Sequence, residues 1–258
     1  MAAGADDRNV NDIAIMGSGV GVGVVFGLFG AGGSAFATPV LSLLGVPGVL
    51  AVASPLPAML PAAVAGARRH LRAGNLDRPT AQWSVIGGFP GAVLGSLLSA
   101  AVDGQRLLLL SGLILLVVGM RVVLPDPAGS SARARLRRHK TWLVAGAAFL
   151  VGLLTGVLAN SGGFLLVPLF VVAFGLTSAE AAGTSMIAVS ALTLPTLVTH
   201  MALGHVDWPV AGAFAVGLVP GSSLGAVLAD RIPAAAARRA FGWLLMVFAV
   251  WFLARLSA

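Results

Sequence analysis

HLRAGNLDRP at residues 70–79 and HMALGHVDWP at residues 200–209 are two versions of one decapeptide, 130 positions apart. His, Gly, Asp and Pro coincide at His70 and His200, Gly74 and Gly204, Asp77 and Asp207, and Pro79 and Pro209. Carried outward, the same offset aligns Gly32 with Gly162, Gly33 with Gly163 and Gly45 with Gly175. On the other side it aligns Pro90 with Pro220, Gly91 with Gly221, Gly95 with Gly225 and Gly112 with Gly242. Pro39 and Pro168 miss the register by one residue. The chain therefore reads as an internal duplication. A first repeat covers 12–124 and a second covers 141–258. Residues 1–11 are expected to form an extracytoplasmic tail, and 125–140 (PDPAGSSARARLRRHK) a polar, basic cytoplasmic linker.

Composition says what solvent these repeats face. Of 258 residues, 58% are hydrophobic and 10% charged, with a mean hydropathy of +0.97. A soluble domain carries about a quarter charged residues, and one of this size cannot hide so much apolar surface. The expected solvent is a bilayer. The net charge of +7 is carried mainly by Arg clusters between apolar runs, which is the pattern of cytoplasmic loops rather than of a nucleic-acid binder. Cys is absent, which excludes disulfides, thiolate metal sites and a cysteine nucleophile.

Uncharged apolar stretches of about 18 residues or more read as spanning helices. They fall at about 12–30, 48–67, 80–101, 107–124, 141–158, 179–200, 209–229 and 240–256. Two shorter pieces, 34–46 and 163–176, each follow a Gly-rich break, so about ten helical segments are expected, two of them short. Arg68, Arg69, Arg72 and Arg78 place the loop 68–78 on the cytoplasmic side, as the basic linker does for 125–140. The matching loop 200–208 has no Lys or Arg and reads as outside, while Arg231, Arg238 and Arg239 place 230–239 inside. Equivalent loops then face opposite sides. The expected fold is an all-α polytopic membrane protein of two inverted-topology repeats, with short broken helices at the repeat interface.

Inverted repeats with interrupted helices are an architecture of transporters, which bind substrate near the midplane where the breaks expose backbone groups. The breaks here are GLFGAGGSAFATP (27–39) and TGVLANSGGFLLVP (155–168). Glycine allows a close backbone approach, and each following helix start aims N–H groups and a positive dipole end at the break. The candidate binding residues are Gly32, Gly33, Ser34 and Thr38 with Asn160, Ser161, Gly162 and Gly163. Ser54 and the equivalent Thr184–Ser185 lie early in the third helix of each half and are further candidates. Thr155 and Ser190 read as hydroxyls bonded back to their own helices. His70 and His200 read as interfacial residues at helix ends, with a proton-coupling role as the alternative. Asp77 and Asp207 read as helix caps, each with a Pro in the following first turn.

The spans carry no Asp, Glu, Lys or Arg except Asp12, Arg121, Glu180 and Arg255 at their ends. That disfavours a carboxylate proton relay and a transition-metal path. No GxSG-type motif accompanies the serines, so no catalytic residue, metal or cofactor is expected. The expected partners are a small anionic substrate and the lipid bilayer, with a proton or sodium as candidate coupling ion. Homo-oligomerisation stays open, and nucleic acid is excluded. A permease for a neutral or cationic small molecule is the alternative.

GLFGAGGSAFATPVLSLLGVP (27–47), its echo in 152–186 and the polybasic central loop resemble the sulfite exporter TauE/SafE family, also called the toluene sulfonate uptake permease family. The resemblance spans about 12–256. It implies a multi-pass permease of the cell membrane for sulfite, organosulfonates or related carboxylate anions. It leaves substrate, direction and coupling ion open. The two half-sites are unequal, because Gly30 stands where the second half has Asn160.

Overall fold

The computed structural model describes residues 3–29, 34–123, 140–159, 162–229 and 231–257. Linker residues 125–139 and the break residues Gly32, Gly33, Asn160 and Ser161 lie outside the described residues. Within them the fold is all helix, with no strand. The first half contributes α1 (Ala3–Phe29), α2 (Ala37–Leu43), α3 (Gly48–Ala53), α4 (Leu56–Arg72), α5 (Arg78–Ser99) and α6 (Gly104–Val123). The second contributes α7 (Lys140–Val157), α8 (Gly163–Val172), α9 (Ser178–Ala202), α10 (Trp208–Ala229) and α11 (Ala234–Ser257).

Among the described residues eleven helices stand where ten segments were expected, because the third helix of the first half is divided at Ser54–Pro55. Pro55 caps α4 and Pro57 follows in its first turn, so two backbone donors are missing where α3 would have continued. Among the described residues six helical stretches are long and apolar enough to cross a membrane: Asp12–Phe29, Gly48–Arg72, Gly104–Val123, Ala179–Ala202, Trp208–Leu228 and Arg239–Leu256. Two expected spans fall outside that set. Helix α5 has 22 residues but opens on the polar run RPTAQWS, and the apolar stretch of α7 is only Thr141–Val157.

The repeated decapeptide builds the same corner twice. Gly74 and Gly204 adopt left-handed φ values of 73° and 71° just past α4 and α9. The N–H of Asn75 reaches the His70 carbonyl (3.0 Å), and that of His205 reaches the His200 carbonyl (2.9 Å), which satisfies the last carbonyls of each helix. Asp77 then caps α5 by accepting from the Thr80 N–H at 2.9 Å, and Asp207 accepts from the Val210 N–H at 3.1 Å. The expected caps are both present.

Packing follows the duplication. Helix α1 lies along α10 and α5 lies along α7, and these are the two most extensive interfaces. Exchanging each helix for its equivalent in the other half turns the first pair into the second. The same exchange turns the α5–α9 interface into α10–α4, and leaves α6–α11 and α4–α9 unchanged. Helices α1 and α10 run parallel: Gly19 abuts Phe214 and Leu218, and Gly27 abuts Ser222 and Ala226. Helices α5 and α7 are also parallel, with Gly87 on Ala145 and Gly95 on Leu153 and Val157. Helices α6 and α11 run antiparallel, with Gly112 at Leu253 and Gly119 at Met246.

Glycines four apart make the parallel pairs. Gly87, Gly91 and Gly95 face Gly152 and Gly156, and Gly19, Gly23 and Gly27 face Gly217, Gly221 and Gly225. At these positions a Cβ would strike the partner's backbone, so close helix contact requires glycine. Between helices in lipid, where burial supplies little drive, such close contact is the main source of association. The outer surface is lined with exposed apolar side chains such as Ile86, Leu97, Val117, Leu150, Val216, Val247 and Trp251. The interior holds Ser, Thr and a single His among its buried polar residues, with no buried Asp, Glu, Lys or Arg among the described residues.

Candidate functional site

The described flanks of both helix breaks are inside the protein. Ser34, Ala35 and Phe36, which form a short 3-10 turn before α2, are buried, as are Leu158, Ala159, Gly162 and Gly163 around the second break. Phe36 and Ala37 at the start of α2, Phe164 in the first turn of α8 and Met59 of α4 belong to one buried apolar cluster. The described flanks of the two breaks thus border the core and not the lipid-facing surface. Neither helix start is capped by a side chain, since Phe36 and Gly162 stand at the N-cap positions.

The second break is sharply defined. Ala159 has φ 42° and Gly162 has φ 74°, both in the left-handed region, so the chain turns twice between the end of α7 and the start of α8. Gly162 sits against Thr155 on the preceding helix, where a Cβ would lie 2.7 Å from the Thr155 γ-methyl. Thr155 is held by donating its hydroxyl to the Gly152 carbonyl at 3.0 Å, as the sequence reading expected, and Ser190 likewise bonds back to Met186. Of the remaining candidates, Thr38 is buried in the first turn of α2.

Ser54 and Thr184 are buried, but they lie at helix starts and hold loops. The Asp207 N–H donates to Ser54 Oγ at 3.0 Å, and the Asp77 N–H donates to Thr184 Oγ1 at 3.0 Å. Each pins the cap residue of the opposite half's corner, so the pair is a symmetric fastening. Ser185 donates to the Ala182 carbonyl at 2.9 Å within its own helix.

His200 corrects the sequence reading most clearly. It does stand in the last turn of its helix, but it is 1% exposed and enclosed by protein. Its Nε2 lies 3.0 Å from the Gly156 carbonyl in the last turn of α7, and its Nδ1 lies 3.1 Å from Nδ1 of His205. A carbonyl only accepts, so His200 Nε2 carries a hydrogen. A neutral His200 then offers a bare Nδ1, and His205 Nδ1 supplies the bridging hydrogen. Burial holds the His205 imidazole below its ordinary pKa, which favours the neutral form there. The signal in the sequence was the spacing of the two histidines around Gly204; the contact to α7 had none.

Three buried hydroxyls were also missed. Thr80 Oγ1, Ser84 Oγ and Thr193 Oγ1 have no hydrogen-bond partner. Ten other helix hydroxyls donate to a carbonyl three or four residues back, Ser96, Ser111 and Thr196 among them. Thr80 and Ser84 are one turn apart on α5, in line with Gly88, which abuts Leu192 of α9 and Ala148 of α7. Their equivalents in the second half are Val210 and Phe214, so this polar stripe belongs to one half only. Among the described residues no cluster of His, Asp or Glu is arranged to hold a metal ion.

With this geometry in view, comparison with known proteins is decisive. The family model described as sulfite exporter TauE/SafE matches residues 15–252. The chain belongs to the sulfite exporter TauE/SafE family. It is 34% identical over 250 residues to a "Probable membrane transporter protein" of Xylella fastidiosa, covering 93% of this chain and 94% of that one. It is 24% identical over 237 residues to the "Probable membrane transporter protein YunE" of Bacillus subtilis, covering 83% and 85%. No solved structure matches the chain significantly. This TauE/SafE member is a multi-pass membrane transporter and not an enzyme.

Proposed function

We propose that the protein carries a small anion, a sulfur oxyanion, organosulfonate or related carboxylate, across the cell membrane by alternating access between two inverted repeats. The reading of the repeats as inverted rests on direction: α6 and α11 are equivalent by the offset and run antiparallel, as are α4 and α9. A two-fold relating antiparallel equivalents lies across the helices, hence in the plane of the membrane they span. The anion would bind where the breaks meet the core, on the amides at the start of α8, with Gly162, Gly163, Asn160 and Ser161 from one half and Gly32, Gly33, Ser34 and Thr38 from the other. Thr80, Ser84 and Thr193, with hydroxyls not committed to the helix backbone, would serve its oxygens along the route.

The observation that carries this reading is the interior's polar inventory. It offers hydroxyls, amides and helix starts, and no fixed charge among the described residues. A cation would find no carboxylate there, and oriented amides favour an oxyanion. A site of this kind binds weakly and releases readily, as a transporter requires. The test is flux into proteoliposomes of sulfite, methanesulfonate and acetate, set against glycerol and choline. Saturable flux of an anion, cross-inhibited by the other anions and lost in Gly163→Leu protein that still inserts, is expected. Saturable flux of glycerol or choline with none of the anions would overturn the reading in favour of a neutral or cationic substrate.

A further inference from the structure

We propose that His200 is the proton-binding residue of this transporter, loaded through His205, so that a proton travels with the anion. The inference rests on the anion-permease reading and adds the identity of the coupling ion.

Among the described residues His200 is the one titratable residue in the buried polar set. It is tied to the second break by a short chain of contacts: Nε2 to the Gly156 carbonyl, and Thr155, the residue before Gly156, against Gly162. On the other side it is tied to the loop by the imidazole–imidazole hydrogen bond to half-buried His205. The pair therefore bridges the corner at 203–207 and the broken helix.

The geometry sets the proton bookkeeping. At rest both rings are neutral, with hydrogens on His205 Nδ1 and His200 Nε2. A proton from water adds to His205 Nε2. The His205 Nδ1 hydrogen then shifts along the 3.1 Å bond to His200 Nδ1. His205 ends neutral with its hydrogen on Nε2, and His200 becomes an imidazolium donating from both nitrogens. One proton has entered and no other bond has changed. The imidazolium lies at the carboxyl end of α7, where unpaired carbonyls carry partial negative charge and favour a cation. An anion at the second break would be its counter-ion. The site without fixed charge thus acquires charge only when a proton is bound, which makes the two ligands bind cooperatively.

Among the described residues no other titratable group is buried beside the pair. Helix α7 brings no titratable side chain after Thr141, and the stretch 48–67 of α3 and α4 brings none. On α9 itself, Glu180 stands at the opposite end. The loop brings His205 and Asp207, and Asp207 Oδ1 accepts from the Val210 N–H at 3.1 Å. Asp103, Arg106 and Arg255 are exposed at the same end of the bundle, on the starts and ends of α6 and α11. His70, the equivalent of His200, is only partly buried.

The test uses the full-length protein in proteoliposomes with methanesulfonate, a strong-acid anion whose charge does not change with pH. An inward methanesulfonate gradient should acidify the lumen, read by an internal pH dye. Flux should rise about tenfold per unit fall in pH while the pair is mostly neutral, the slope for one proton. His200→Gln keeps a donor for the Gly156 carbonyl and cannot take a proton. It should show pH-independent flux and no lumenal acidification, whereas His70→Gln should behave as wild type. A merely positioning role would lower flux equally at every pH and leave the slope. If His200→Gln does not fold, His205→Gln decides: flux at least tenfold slower with the slope kept supports the relay, and unchanged flux overturns it. Wild-type anion flux without proton movement, or His200→Gln with the wild-type slope, overturns the proposal and leaves the permease reading standing. No flux of any anion removes both.

Discussion

Replacing Gly162 by alanine perturbs the second break through two separable costs. The first is backbone conformation. At φ 74° a non-glycine residue pays about 1–2 kcal/mol. The second is steric. The new Cβ would sit 2.7 Å from the Thr155 γ-methyl, about 1 Å inside normal carbon–carbon contact. Thr155 cannot swing away freely, since it is buried and its hydroxyl is fixed on the Gly152 carbonyl at 3.0 Å. Overpacking of this kind costs about 1–3 kcal/mol. The sum is about 2–5 kcal/mol, a large share of the stability of an ordinary domain. Thr155→Ser removes the offending methyl and keeps the hydroxyl, at about 1 kcal/mol on its own. The double variant should therefore be more stable than additivity predicts by about 1–3 kcal/mol, while the backbone cost persists. Thermal unfolding of the four proteins in one detergent measures this cycle. An additive double variant, or Gly162→Ala as stable as wild type, would refute the account of the break.

Two further outcomes test the scaffold around it. Gly91→Ala should prevent accumulation of folded protein, because its Cβ runs into the Phe149 backbone, whereas Gly212→Ala meets nothing within 4 Å and should be neutral or gain up to about 1 kcal/mol in the melt. Ser54→Ala and Thr184→Val each strand a loop N–H, of Asp207 and Asp77 respectively. Each should cost about 1–3 kcal/mol and speed amide exchange at that residue alone.

Much was written locally. The uncharged runs, the Gly–Asp–Pro corners and the 130-residue offset announce helices, caps and duplication without any tertiary information, because bilayer solvation and helix termini act over a few residues. Two glycine breaks stood out for the same reason, and the backbone at Gly162 does turn left-handed. What the third dimension added concerns pairs of residues far apart in the chain. Ser54 and Thr184 looked like substrate hydroxyls, yet each meets the corner of the other half. The four-residue glycine spacing in α1, α5, α7 and α10 was visible, but nothing in it says that α1 chooses α10 and α5 chooses α7. His200 was read from its place at a helix end, and its burial there, against the Gly156 carbonyl of α7 on one side and the His205 ring on the other, depends on contacts that its own helix does not encode. Sequence determines where the backbone must bend and which surfaces avoid water; which bend meets which side chain is decided by how the two halves cross.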